Sequence, residues 1–131
     1  MTATTERSDV RTTLMRVVAW LVAAGILAQA VLAGQGLFVD GALFGLHGGI
    51  GHGVLLLSVV LVALVLLTGT TRTTLVLAVL LVLGLIGQTG LGYAGRRSGI
   101  AFASSLHVPL GVTLLGVSVA IAVLVGPRPR A

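Results

Sequence analysis

Four long apolar stretches divide this chain, and they restrict its possible folds more than any other feature. They run from about residue 14 to 34, 47 to 67, 74 to 93 and 102 to 125. Each reaches the roughly 20 residues that an α-helix needs to cross about 30 Å of hydrocarbon. Only 8% of the 131 residues are charged, against about 25% in a typical soluble domain. The sequence therefore predicts an all-α integral membrane protein, a bundle of four transmembrane helices.

Short polar segments flank this membrane domain, which extends over residues 14–125 as one unit. Residues 1–13 form one polar tail and residues 126–131 the other. Most arginines lie on the side of the two termini: Arg7, Arg11, Arg16, Arg72, Arg128 and Arg130. Only Arg96 and Arg97 lie on the opposite side. Cytoplasmic segments of membrane proteins carry the excess of basic residues, so we expect a plasma-membrane or inner-membrane protein with both termini in the cytoplasm.

The composition also excludes several kinds of function. No cysteine is present, so disulfides, iron–sulfur clusters and covalent c-type haem attachment are excluded. The net charge of +5 comes from arginines at the membrane edges, and it does not indicate nucleic-acid binding. The expected surroundings of this chain are the lipid bilayer.

An internal repeat relates the two halves of the chain. The segment that begins at His47 matches the segment that begins at His107, 60 positions later, with glycine and serine at equivalent places. Gln29 in the first apolar stretch matches Gln88 in the third, and each has small residues four positions away on either side. Because both halves run out and back in the same sense, we expect two helical hairpins related by an axis along the membrane normal.

Two of the three histidines fall on this repeat, and we interpret them as ligands of one metal centre. His47 and His107 open the second and fourth predicted helices on the same side of the membrane, so they lie at the same depth. Gly51 and Gly111, one turn below them on the same faces, leave a flat space beside each imidazole. Haem iron is satisfied by two axial histidines, whereas zinc usually requires three or four protein ligands. The pattern predicts a non-covalently bound haem b.

Five further side chains are candidates for the same region. Gln29 and Gln88 either pack the helices together or hydrogen-bond to a histidine N–H or to the haem rim. Arg96 and Arg97, expected in the loop between the third and fourth helices, bind either haem propionates or lipid phosphates. His52 lies about 140° around its helix from the repeated histidine. It is therefore the alternative iron ligand or a proton carrier.

The stretch Gln88-Thr-Gly-Leu-Gly92, followed by Ser-Leu-His107, resembles the haem A synthase family. Each half of those enzymes is a four-helix bundle with a histidine on its second and fourth helices, and the resemblance implies that His47 and His107 ligate haem. The chain also looks like small four-helix, bis-histidine membrane haem proteins of unassigned function. It departs from the synthases around His47, where Gly45-Leu46 and Gly48 replace the family's glutamate and arginine. Oxidation of a haem methyl group is therefore not implied.

These features favour a cytochrome b-like membrane protein that transfers single electrons near the outer face. Two histidine ligands leave no open position on the iron, so we expect electron transfer and not catalysis. A quinol, another redox protein or a second copy of the chain would complete the transfer. Two alternatives stay open. One is a cofactor-free scaffold or accessory subunit, suggested by the glycine- and alanine-rich first and third helices; the other is a small transporter, which parallel repeats also fit.

Overall fold

The computed structural model describes residues 3–126, with side chains from Asp9 onward, as four α-helices joined by short turns. The helices are α1 (Ala3–Phe38), α2 (Leu43–Thr68), α3 (Arg72–Ser98) and α4 (Ala101–Leu124). Each contains a segment that is long and apolar enough to cross a membrane. The side chain of Arg7 and the tail with Arg128 and Arg130 lie outside the described part. The prediction of an all-helical fold with four membrane-spanning helices is confirmed.

The first three helices are longer than the apolar stretches that predicted them, whereas α4 has the predicted length and is shifted by one residue. Residues 3–13, expected as a polar tail, continue α1 toward the start of the chain. α3 extends through Arg96 and Arg97, which therefore lie in its last turn and not in a loop as predicted. Gly99, in the left-handed conformation with φ of 65°, ends this helix. Hydropathy marks the part of a helix that suits hydrocarbon, whereas the helix itself continues until a residue stops it.

The four helices form a closed ring in which each contacts its two neighbours. Contacts join α1 to α2, α2 to α3, α3 to α4 and α4 to α1. α2 and α4 are diagonal to each other, and in the described part of the chain their backbones do not come into contact. At one end, Nε of Arg16 on α1 donates to the carbonyl oxygen of Val125, just after α4, over 2.7 Å. We call this the terminal end, and the opposite end, which carries the histidines, the histidine end.

The tightly packed core lies in the half of the bundle toward the terminal end. Its largest fully buried side chains are Val22, Ser58, Leu61, Val65, Leu81, Ser118 and Ile121. Close packing begins at two glycines near the middle of the bundle: a Cβ added at Gly25 would meet Val54, and one added at Gly84 would meet Leu114. In lipid, helices associate through van der Waals packing of this kind. This half therefore holds the four helices in place.

The two hairpins, α1–α2 and α3–α4, make equivalent contacts. The Gly25–Val54 contact of the first hairpin has its counterpart at Gly84 and Leu114 in the second. The buried hydroxyls also match: Ser58 donates to the Leu55 carbonyl over 2.7 Å, and Ser118 donates to the Leu115 carbonyl over 2.8 Å. Contacts thus recur at the spacing of the sequence repeat.

Candidate functional site

His47 and His107 meet across the diagonal of the bundle. Each lies in the second turn of its helix, α2 and α4 respectively. Their ring centres are 6.3 Å apart, with 57° between the ring planes, and both residues are partly buried. Since the backbones of α2 and α4 do not touch, the imidazoles bridge the space between these two helices. The structure brings together the pair that the repeat predicts.

Each imidazole is held by the preceding helix of its own hairpin. Nδ1 of His47 lies 3.0 Å from the backbone oxygen of Gln29 on α1, and Nδ1 of His107 lies 3.0 Å from the backbone oxygen of Gln88 on α3. A carbonyl oxygen only accepts, so in each neutral ring Nδ1 carries the proton and donates it. The lone pair is then on Nε2, which makes that nitrogen available to a metal ion.

The two glutamine side chains occupy the spaces beside the repeated glycines. A Cβ at Gly51 would lie 3.2 Å from Oε1 of Gln29, and one at Gly111 would lie 3.0 Å from Nε2 of Gln88. The glycines therefore make room for the amide of the neighbouring helix, and the open, flat space expected beside each imidazole is not found there. The Gln88 amide also donates to the His107 carbonyl over 2.8 Å. This bond joins α3 to α4 as the packing interpretation of the glutamines predicted.

Two amide atoms of these glutamines are buried without a hydrogen-bond partner among the described residues. They are Nε2 of Gln29, a donor, and Oε1 of Gln88, an acceptor. Buried polar atoms are almost always paired in native proteins, since an unpaired one costs free energy. The region beside the histidines therefore offers one donor and one acceptor to a bound group.

Arg96 and Arg97 lie at the histidine end, each above an aromatic ring. Cζ of Arg96 is 4.6 Å from the centre of the Phe44 ring, and Cζ of Arg97 is 4.7 Å from the centre of the Tyr93 ring. The Phe44 ring is edge-on to His47, with 6.5 Å between the ring centres. Arg96 is thus separated from the histidine pair by one ring, whereas Arg97 extends over Tyr93. Both arginines are exposed, so their donors are accessible to a carboxylate or a phosphate.

His52 is not part of the histidine pair. Its Nδ1 lies 2.7 Å from the Gly48 carbonyl oxygen, and its Nε2 lies 3.4 Å from the hydroxyl oxygen of Tyr93 on α3. The side chain is exposed. His52 lies about 140° around α2 from His47, so its ring is directed toward α3 and away from the space between α2 and α4.

Sequence reasoning missed two residues at this end of the bundle, Phe44 and Tyr93, and gave Gly92 only as part of a motif. Phe44 precedes the first paired histidine by three residues, and Tyr93 precedes the second exposed arginine by four. This spacing puts each pair on one helix face and could have identified them. A Cβ at Gly92 would lie 3.1 Å from Cε1 of His107. The contact between Tyr93 and His52 joins two helices and has no signal in the sequence.

The donor set at the histidine end suits a metal that brings ligands of its own. In the described part of the chain, no group of three or more His, Cys, Asp or Glu side chains could hold a metal ion. A bare ion such as zinc usually requires three or four protein ligands. A macrocycle that supplies four ligands requires only the two axial ones from the protein. Two histidines would therefore suffice for a metal carried in a macrocycle, whereas they are too few for a simple cation such as zinc.

Comparison with protein families gives a match over part of the chain. A protein-family model described as a family of unknown function, DUF6220, matches residues 29–95, just over half of the chain. The match begins at Gln29 in α1, includes His47 and Gln88, and ends before α4. No curated protein and no solved structure matches the chain. Nothing in these comparisons links it to the haem A synthases, so that resemblance depends on the quoted motifs alone.

Proposed function

This chain belongs to DUF6220, a family of unknown function, and we propose that it binds one b-type haem between His47 and His107. The bias of the arginines supports an orientation with the histidine end at the outer face and both termini in the cytoplasm. A haem with two histidine ligands supplies reversible one-electron transfer and has no open coordination position. The proposed role is therefore electron transfer, with a quinol, another redox protein or a second copy of the chain as the exchange partner.

The separation of the two imidazoles is the observation that carries this proposal. A single metal ion midway between the two rings would lie about 3 Å from each ring centre, a distance that suits a metal–nitrogen bond of about 2.0–2.1 Å. The observed separation of the ring centres, 6.3 Å, therefore supports a site in which both histidines would hold one metal ion.

The neighbouring helices prepare the histidines for this role. The backbone oxygens of Gln29 and Gln88 hold the Nδ1 protons of the two rings. Such bonds to the far nitrogen fix the orientation of a ligating histidine and increase its basicity, and their loss typically costs 10–100-fold in metal affinity. Both histidines make this same backbone contact, so the rotation of each ring is restricted before any group binds.

Polar groups around the pair match the edge of a haem. Arg96, separated from His47 by the Phe44 ring, is the better placed of the two arginines to offset the charge of a propionate. The unpaired atoms of Gln29 and Gln88 provide a donor and an acceptor within the bundle. Seating a ring near Gly51 and Gly111 requires these two amides to move, because they occupy the space beside the glycines.

The absorption spectrum of the detergent-purified protein, oxidised and then dithionite-reduced, tests this proposal. We expect a sharp reduced α-band from the wild type after expression with added haem, and its loss in His47→Ala and in His107→Ala. His52→Ala is the matched control, since it removes an exposed histidine outside the pair, and it should keep the band. A colourless wild type, or a band lost only in His52→Ala, would contradict the assignment.

A second candidate function is a cofactor-free membrane scaffold or accessory subunit. Gly45, Gly49 and Gly53 form a row with four-residue spacing on α2; all are exposed, and nothing lies within 4 Å of a Cβ added at any of them. Small residues at this spacing allow another membrane helix to approach closely. A colourless protein that still forms oligomers in detergent, with the oligomers lost in Gly49→Leu, would support this function over haem binding.

A further inference from the structure

A second region of interest lies at the terminal end, far from the histidines. A cavity of about 550 Å³ opens there between residues of all four helices. Its wall includes Arg16 from α1, Thr70 and Thr71 from the turn after α2, and Thr74 from α3. Pockets for small ligands generally measure about 300–1,000 Å³. The cavity is thus large enough to receive a ligand headgroup, and the haem proposal does not involve it.

The cavity wall carries positive charge and, among the described residues, no carboxylate. Arg16 is the charged residue of this wall. Its Nε donates to the Val125 carbonyl oxygen over 2.7 Å, which fixes the guanidinium against the end of α4. Arg11 and Arg72 lie nearby along the chain and are exposed. Since Arg11 and Arg72 are outside the wall, the guanidinium of Arg16 supplies the positive potential that attracts an anion into the cavity.

One hydroxyl in this wall has no partner among the described residues. Oγ1 of Thr70 is buried and makes no hydrogen bond. The other threonines of the same turn are engaged: Thr68 donates to the Leu64 carbonyl over 2.7 Å, and Thr71 accepts from the backbone N–H of Thr74 over 3.3 Å as the N-cap of α3. Thr70 is therefore a buried donor in a cavity whose charged group is a guanidinium.

We propose that this cavity binds a phosphate group. A guanidinium donates paired, charge-assisted hydrogen bonds to phosphate oxygens, and a threonine hydroxyl adds a further donor. The N-terminus of α3, which begins at Arg72 beside the cavity, adds the positive end of a helix dipole. Since the cavity opens at the ends of membrane-spanning helices, the phosphate belongs either to an anionic lipid of the cytoplasmic leaflet or to a free phosphate ion.

Lipid retention by the full-length protein tests the site. The protein is reconstituted in vesicles of equal phosphatidylglycerol and phosphatidylcholine, extracted in mild detergent, and the bound lipid is counted by mass spectrometry of the intact complex. We expect selective retention of phosphatidylglycerol, reduced about tenfold or more in Arg16→Gln through loss of a charged hydrogen bond. Arg11→Gln is the matched control, because Arg11 is exposed and outside the cavity wall, and it should change retention less than about twofold.

Thr70→Val provides a second variant that leaves the Arg16–Val125 bond intact. It removes only the unpartnered hydroxyl, so the helices should assemble normally, and we expect retention to fall about fivefold or more. Thr73→Val, at an exposed position outside the cavity wall, is its control. The thermal unfolding temperature of each variant shows that the loss does not result from misfolding.

Millimolar inorganic phosphate distinguishes the two sources. If phosphate displaces the retained lipid, the cavity accepts the free ion as well as the lipid headgroup. If the lipid is retained in the presence of phosphate, the cavity is specific for the lipid headgroup. Both results support a phosphate site. The proposal is overturned if Arg16→Gln and Thr70→Val retain as much phosphatidylglycerol as the wild type, or if Arg11→Gln and Thr73→Val reduce retention as much as their partners do.

Discussion

The two halves of the bundle differ in what fills the space between their helices. Toward the terminal end the interior contains apolar side chains such as Leu61, Leu81 and Ile121, each at most 1% exposed. Toward the histidine end it contains the partly buried imidazoles of His47 and His107, with two unpaired amide atoms beside them. The same repeat builds both halves, so the difference results from residue type. The packed half holds the four helices together. The other half can therefore contain polar groups, although their packing alone would not stabilise the bundle.

Helix α3 passes through both halves, and four positions along it test this difference. Leu81 lies in the packed core, and Gly84 lies at the boundary of that core toward the histidine end. Gln88 lies beside the histidine pair, and Arg96 lies at the histidine end. Substitutions in the packed half should change stability and leave haem binding intact. Substitutions in the other half should change haem binding and leave stability nearly intact.

Leu81→Ala should have the largest effect, a loss of about 2 kcal/mol or more in the free energy of unfolding. Leu81 is fully buried, so truncation leaves a cavity that lipid does not enter. Leu80→Ala is the control because Leu80 is 54% exposed, and it should change the unfolding free energy by less than about 0.5 kcal/mol. Denaturation in detergent micelles, followed by circular dichroism, measures both. Equal effects would show that the core does not lie where the structure puts it.

Gly84→Ala should destabilise the fold by about 1–3 kcal/mol through overpacking. The added methyl group would overlap the buried side chain of Leu114 on α4, which must shift within a closely packed contact. At Gly87 nothing lies within 4 Å of an added Cβ. Gly87→Ala should therefore be neutral or stabilising by about 0.5–1 kcal/mol, since alanine favours the helix more than glycine does. Thermal unfolding of the two variants side by side decides the point.

The fold of this chain could be predicted from sequence because a membrane leaves the backbone few choices. Stretches of about 20 apolar residues must form helices, since backbone groups in lipid have to pair within the segment. The ends of the helices were predicted less well. Helix α1 includes the polar residues 3–13, and helix α3 includes Arg96 and Arg97. Hydropathy does not predict these parts of the helices because their residues are polar. Local stops such as Gly99 set those ends.

The candidate site shows a similar division. The pairing of His47 with His107 could be predicted because a repeat puts equivalent residues at equal depth. The role of Gln29 was only partly predicted, since its backbone oxygen, and not its side chain, holds the imidazole, and its amide fills the space at Gly51. The contact between His52 and Tyr93 was not predicted. These details depend on the rotation of each helix about its axis, which spacing along a single helix does not specify.

Gln88→Leu should weaken haem binding about tenfold, near the lower limit for groups that support a metal ligand. It removes the amide that donates to the His107 carbonyl and keeps the backbone oxygen that holds the ring. Gln29→Leu should have a smaller effect, about threefold, because it removes one neutral donor, the unpaired Nε2, and no bond to a histidine backbone. Titration of the haem-free protein with haem measures both constants. Losses of the same size would mean that the two hairpins support their histidines equally.

Arg96→Gln should have a smaller effect than Gln88→Leu, a loss in haem affinity of about twofold to fivefold, since exposed charge pairs are weak. The expected loss follows from its place above the Phe44 ring, next to His47. Arg97→Gln should change the affinity less, because Arg97 lies over Tyr93 on the side of His52. Added salt should reduce the difference between the two variants by screening.

Haem dimethyl ester, in which the propionates carry no charge, separates a propionate contact from a general effect of positive charge or packing. If Arg96 binds a propionate, the wild type and Arg96→Gln should bind the ester with the same affinity, although they differ for haem. If Arg96 acts only by holding the Phe44 ring against His47, the difference should persist with the ester, and Arg96→Lys, which keeps the charge but stacks less well on an aromatic ring, should behave like Arg96→Gln. The first result would show that the polar half of the bundle, which binds haem, includes Arg96. The second would make Arg96 a packing residue, and the haem-binding part of the polar half would then end at Phe44.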